Sequence, residues 1–127
     1  MKIKLNSVFV DNQDKALKFY TEILGFVKKN DIPMGPFRWL TVVSPDEPNG
    51  TELALEPDEI PAAKVFKKAL FEQGIPLTAF QVDDIEAEFS RIEKLGVRFK
   101  ELPSKMGPVT QAIFDDTCGN YIQIYEV

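Results

Sequence analysis

The feature that most restricts this chain is internal. Val10-Asp11-Asn12 returns as Val82-Asp83-Asp84, 72 positions on, and Met34-Gly35-Pro36 returns as Met106-Gly107-Pro108 at the same offset. Leu24-Gly25-Phe26 matches Leu95-Gly96-Val97 at 71, and Gly50 matches Gly119 at 69. Three multi-residue anchors in step point to two copies of one unit. Two copies are too few to stack as a solenoid, so each must be a substantial module of a single duplicated fold.

The hydrophobic periodicity describes the module. LNSVFV reads as a strand, followed by helical spacing of Ala16, Leu17, Tyr20, Ile23 and Leu24 behind the capping candidates Asp11 and Asn12, with Gly25 as the stop. Strands follow in GFVKKND, GPFRWLTVV and, after the turn residues PDEPNG, TELALE. The order is β-α-β-β-β. LTAFQV, a helix from Asp84 with Ile85, Phe89 and Ile92 on one face, VRFKEL, GPVTQAIF and NYIQIY repeat it. Between them Pro61 starts a connecting helix, with Ala62, Val65, Phe66 and Ala69 expected on its packed face and Gly74 as its end. The expected division is one domain with module one at 1–57, a helical connector at 58–75 and module two at 76–127.

Composition removes several classes of function. The 127 residues include no histidine, the commonest neutral metal ligand and general base, so histidine triads and two-histidine metal sites are excluded. A net charge of -5 disfavours nucleic acid and anionic membranes as partners. No apolar run approaches the roughly 20 residues of a membrane span. MKIKLNSVFV lacks the zones of a signal peptide, which makes the expected location cytoplasmic. Cys118 is the sole cysteine and cannot form an internal disulfide. No GxGxxG, phosphate loop, CxxC or serine elbow is present.

The run VFVDNQDKALKFYTEILGF, the second unit AFQVDDIEAEFSRIEKLG and the closing DDTCGNYIQIYE resemble the vicinal oxygen chelate superfamily, which includes glyoxalase I, extradiol dioxygenases, fosfomycin resistance enzymes and bleomycin resistance proteins. The resemblance covers essentially the whole chain. It implies an α+β fold in which two tandem βαβββ modules form a curved mixed sheet around a cleft, and it implies a homodimer.

In enzymes of that superfamily a divalent metal is held by a first-strand histidine and a last-strand carboxylate of a module. Carried over by position, these sites fall on Leu5 and Leu77 and on Ala54 and Gln123. Two leucines, an alanine and a glutamine offer one neutral oxygen where three or four ligands are needed. No metal and no cofactor are therefore expected, and the electrophile shared by the superfamily's enzymes is lost. A one-residue shift on the last strand would bring in Glu52 or Glu56.

The expected ligand-contact residues are Ser7, Phe9, Trp39, Glu52, Glu56, Tyr121, Gln123 and Tyr125. Strand alternation puts Glu52 and Glu56 on the face of Ala54, and Tyr121 and Tyr125 on that of Gln123. Arg38 and Trp39 fall on opposite faces, so Trp39 is either core beneath a helix or the wall of a cavity, and Arg38 a surface charge. Glu52 and Glu56 are either a carboxylate pair or a solvated edge. Cys118 in DDTCGN reads as an incidental thiol, and Asp11, Asp83 and Asp84 as helix caps. Phe19 and Tyr20 read as packing residues.

The function expected is metal-independent capture of a small hydrophobic or cationic ligand, similar to the bleomycin resistance branch. The alternative is a glyoxalase- or dioxygenase-like enzyme, a lyase or dioxygenase, with a non-standard metal site or a glutamate base.

Overall fold

The computed structural model describes all residues, 1–127. The βαβββ order occurs twice. The first set is β1 (Leu5–Val10), α1 (Gln13–Lys18), β2 (Val27–Met34), β3 (Phe37–Val43) and β4 (Glu52–Pro57). After α2 (Pro61–Glu72) come β5 (Thr78–Gln81), α3 (Ile85–Lys94), β6 (Phe99–Met106), β7 (Val109–Asp115) and β8 (Tyr121–Glu126). Strand pairing gives two four-stranded sheets, ordered β1-β4-β3-β2 and β5-β8-β7-β6. Each has one parallel pair at its edge, β1 with β4 and β5 with β8, and antiparallel pairs elsewhere. The chain folds as two compact units, Met1–Lys64 and Val65–Val127.

In the first unit, Asn12 caps α1 by accepting from Lys15 N at 3.0 Å. Asp11 does not cap; its carboxylate pairs with Lys15 at 3.0 Å. The helix continues through a π-helical turn over Phe19–Ile23, where Phe19 and Tyr20 are buried. Val8, Val10, Leu40, Val42, Leu53 and Leu55 are buried with Ala16, which identifies that side of the sheet as the one beneath α1. Alternation sends Leu5, Ser7, Phe9, Glu52, Ala54 and Glu56 to the other side.

The second unit repeats this with different chemistry. Asp84 caps α3 by accepting from Ala87 N, Ile85 and Ile92 are buried, and Phe89 meets Phe99 edge-on with ring centroids 4.7 Å apart. Asp83 takes no part in the cap. The connection between β7 and β8 is tightly built: the buried Asp116 carboxylate accepts from Cys118 N, Asn120 N and Asn120 Nδ2 at 2.7 to 3.0 Å.

The helix α2 turns differently from its hydropathy pattern. Ala63 and Lys67 are buried, while Val65 and Phe66 are 69% and 50% exposed. The Lys67 ammonium donates to the Cys118 carbonyl oxygen at 2.6 Å, and this charge-assisted bond holds the lysine inside where Val65 was expected.

Candidate functional site

The open side of the first sheet gathers five of the expected ligand-contact residues. Ser7 is opposite Ala54 and Phe9 opposite Glu56 across β1 and β4. Thr41 is opposite Ala54 across β3 and β4, which puts Trp39 on the same side. Ile32 and Met34, opposite Trp39 and Phe37, extend that surface along β2. Trp39 thus points away from α1 and is half-buried, so it does not pack beneath that helix. Leu5 on the edge strand β1 and Ile32 and Met34 on the edge strand β2 are 49%, 52% and 61% exposed, while Ala54 and Thr41 between them are buried.

Those carboxylates differ. Glu52 Oε1 accepts from Asn30 Nδ2 and from Thr41 Oγ1, both at 2.7 Å, and Asn30 Nδ2 also donates to Thr41 Oγ1 at 3.1 Å. The carboxylate is fixed by neutral donors, and Oε2 is left for another partner. Neither a hydrogen bond nor an ion pair engages Glu56, which is half-buried on the same side. Sequence periodicity gave no sign of Asn30 and Thr41, because their role depends on β2, β3 and β4 lying side by side.

Arg38 faces the other way. Its guanidinium binds Asp31 Oδ1 at 2.9 Å and Oδ2 at 3.1 Å and also pairs with Asp14. The hydrogen bond to Arg38 pulls the Asp31 carboxyl below its ordinary value of 3.8, partial desolvation opposes it, and the Lys28 charge adds to the lowering. The same carboxylates raise Arg38 further. This is a fixed charge network, and Arg38 takes no place on the open side.

On the second sheet, Tyr121, Gln123 and Tyr125 share one side with Asp115, Ile113 and Gln111 of β7. Gln123 Nε2 donates to Gln111 Oε1 at 3.2 Å. One face of the Tyr121 ring is already covered, since Phe71 stacks on it with centroids 4.3 Å apart, and Lys100 Nζ lies 5.9 Å from the same ring. The remaining contacts available to a ligand here are mainly polar.

The four positions where the resemblance puts a metal shell are occupied by Leu5, Ala54, Leu77 and Gln123. The strand registers support the frame, since Ser7 is opposite Ala54 in one sheet and Ala79 opposite Gln123 in the other. Leu5 and Ala54 of the first unit offer no donor atom, and Leu77 and Gln123 of the second offer one amide oxygen, so neither pair fits a divalent ion. Nor do three or more His, Cys, Asp or Glu side chains come together elsewhere in a way that would hold one. No helix is long and apolar enough to cross a membrane. Cys118 is buried.

Residues 2–124 match the sequence profile of the Glyoxalase/Bleomycin resistance protein/Dioxygenase superfamily. The chain is 59% identical to the uncharacterized protein YurT of Bacillus subtilis strain 168 over 126 residues, 99% of each chain. The crystal structure of UcmS2 superposes with a TM-score of 0.84 at 32% identity, covering 98% of this chain and 97% of that one. TnmS3, an antibiotic binding protein from Streptomyces sp. CB03234, superposes with a TM-score of 0.79 at 29% identity, covering 99% and 95%.

Proposed function

This chain belongs to the Glyoxalase/Bleomycin resistance protein/Dioxygenase superfamily, and from that premise we propose that it is a small-molecule-binding protein that works without a metal and sequesters a hydrophobic or cationic ligand. The observation that carries the reading is the open side of the first sheet. There Ser7, Phe9, Trp39, Glu52 and Glu56 share one side of the sheet with Leu5, Ile32 and Met34, which are exposed on its two edge strands. An exposed apolar surface of this kind gains about 25 cal/mol for each Å² covered, which favours a ligand with a flat hydrophobic body. Glu52, Glu56 and a net charge of -5 favour a cationic one. The similarity to an antibiotic binding protein supports capture rather than turnover. Ligand contacts are assigned as well to Tyr121, Gln123 and Tyr125 on the open side of their own sheet.

A second reading is favoured by one detail. Glu52 is oriented through Oε1 by Asn30 and Thr41, and an anchored carboxylate with a free oxygen is what a general base requires. This would make the chain a glyoxalase- or dioxygenase-like enzyme with a glutamate base or a non-standard metal site. In either case the working unit is taken as a cytoplasmic homodimer, with the exposed Val65 and Phe66 of α2 as an apolar patch for pairing.

Thermal unfolding separates metal-free capture from an enzyme with a non-standard metal site, and a search for conversion of each stabilising compound separates capture from a glutamate-base enzyme. Metal-stripped protein is melted with Mg²⁺, Mn²⁺, Fe²⁺, Co²⁺, Ni²⁺ or Zn²⁺, and in parallel with a panel of aromatic and cationic small molecules. A ligand at 100 times its Kd adds about 2.7 kcal/mol of stability. The binding reading expects a rise in Tm with members of the organic panel and none with the metals. A stoichiometric metal that raises Tm overturns it in favour of the enzyme.

A further inference from the structure

The connection between β3 and β4, residues 44–51, carries a chemistry that its counterpart at 116–120 lacks. Asn49 is followed by Gly50, whereas Cys118 stands at the matching place before Gly119. The other asparagines, Asn6, Asn12, Asn30 and Asn120, precede Ser7, Gln13, Asp31 and Tyr121, so only Asn49 is followed by a residue without a side chain. A glycine leaves its backbone nitrogen unshielded and lets the chain reach conformations that bulkier residues resist. The nitrogen of Gly50 and the side-chain amide of Asn49 are therefore two reactive groups held next to each other by the chain itself.

The folded turn keeps this pair and surrounds it with positive charge. A Cβ on Gly50 would meet Cβ, the carbonyl oxygen and Oε2 of Glu47, each at 3.0 Å, so the packing of the turn holds a glycine there. Lys4 Nζ donates to the main-chain oxygen of Asn49. Lys29 Nζ donates to Asn49 Oδ1 at 3.4 Å and to the Pro48 oxygen at 3.1 Å. An ammonium on the oxygen of the Asn49–Gly50 peptide favours loss of the Gly50 amide proton, because the charge left behind is shared with that oxygen. An ammonium on Oδ1 stabilises the oxyanion that forms when the side-chain carbonyl is attacked. One contact opposes the reaction: Gly50 N donates to the Glu47 oxygen at 2.8 Å, and this bond must open first.

We propose that Asn49 is a self-modification site, at which the chain converts its own amide to a carboxylate with Lys4 and Lys29 stabilising the charge that develops. Hydroxide takes the Gly50 amide proton, Gly50 N bonds to Asn49 Cγ, and the Cγ–Nδ2 bond breaks as ammonia leaves, closing a succinimide ring. Water then adds to either ring carbonyl and breaks its bond to Gly50 N. Opening at Cγ gives aspartate, and opening at the main-chain carbonyl gives isoaspartate. The sum consumes one water and releases one ammonia, with nothing oxidised or reduced. Either product puts a carboxylate beside Lys4 and Lys29. The isoaspartate form also lengthens the main chain just before Thr51 and Glu52, whose Oγ1 and N donate to the oxygens of Ile3 and Lys4 at 3.2 and 2.9 Å. The modification therefore reaches the first residue of β4.

The test ages the full chain in neutral buffer and follows the peptide containing Asn49 by mass spectrometry, with isoaspartate measured by enzymatic methylation. Asn49 is expected to lose its amide at least tenfold faster than Asn6, Asn12, Asn30 or Asn120 and to yield both products. Lys4→Met combined with Lys29→Met changes two exposed side chains and should slow the loss about threefold, a smaller factor than a buried oxyanion donor gives. High salt should bring the wild-type rate down to that of the variant. Aged chain enriched in isoaspartate should exchange its Glu52 amide hydrogen at least threefold faster than fresh chain. If Asn49 keeps its amide as long as Asn30 does, the site is overturned. Aspartate without isoaspartate overturns the succinimide route. An unchanged rate in the lysine variant overturns the role of the two ammonium groups, and unchanged Glu52 exchange overturns the reach into β4.

Discussion

The ring of Tyr121 lies on that of Phe71, centroids 4.3 Å apart and planes 5° from parallel, so a residue of β8 is tied to one of α2 by a stacked aromatic pair. Such a pair adds about 0.5 to 1.5 kcal/mol beyond the area it buries. A double-mutant cycle of Phe71→Ala and Tyr121→Ala in urea should give a coupling energy of about 1 kcal/mol. No hydrogen bond engages the Tyr121 hydroxyl, so Tyr121→Phe should leave the unfolding midpoint nearly unchanged. Additive single variants would mean that the stack adds nothing beyond burial.

Gly119 has φ +93° and a Cβ built on it would lie 2.8 Å from both Cε and Nζ of Lys67. Gly96 has nearly the same φ, +92°, with nothing within 4 Å of its Cβ position. Gly96→Ala should cost only the left-handed backbone, about 1 to 2 kcal/mol. Gly119→Ala should cost that and also displace Lys67 from the Cys118 carbonyl, a charged hydrogen bond of about 1.5 to 3 kcal/mol. The difference between the two variants in denaturant titrations therefore measures the Lys67 bond, and equal losses would contradict its role.

Asp31 sets a pH dependence. The Arg38 hydrogen bond lowers its carboxyl in the folded chain below the ordinary 3.8, so folding favours the ionised form. The stability it contributes is present above that ordinary value and is lost as pH falls through the lowered one. Asp31→Asn should flatten the acid limb of the stability curve below about pH 4 without changing its shape above about pH 5. Arg38→Gln should do the same, since it removes the cause. An acid limb as steep as that of the wild type in both variants would place the titration elsewhere.

Much of the architecture was legible because it is carried locally. Asn12 and Asp84 cap helices at matching offsets, Gly25 and Gly96 end the first turn beyond each, and the alternation of Glu52, Ala54 and Glu56 declared one face of a strand. What escaped depends on groups far apart in the chain. Lys67 is drawn inward by a carbonyl 51 positions away, and this turns Val65 and Phe66 of α2 outward against their hydropathy. Gln13 donates to the carbonyl oxygens of Arg38 and Leu55, and no periodicity marks a buried side chain that bridges two strands. For Trp39, alternation defined two faces but not which lay beneath α1. The burial of its neighbours Leu40 and Val42 on the helix side decided that.

The Glu52 anchor separates structure from charge. Thr41 is fully buried and donates to Glu52 Oε1, so Thr41→Val removes a donor without changing shape and should destabilise the chain by about 1 kcal/mol, given that Glu52 is only partly buried. Glu52→Gln keeps an oxygen for Asn30 and Thr41 and should leave Tm close to wild type. It removes a negative charge from the open side, however, and should weaken binding of a flat aromatic cation such as proflavine by about fivefold at low salt and by less at high salt, where screening already reduces the attraction. A neutral aromatic probe should bind both forms alike. If Glu52→Gln weakens cationic and neutral probes equally, the carboxylate acts by shaping the surface and its charge does not select the ligand.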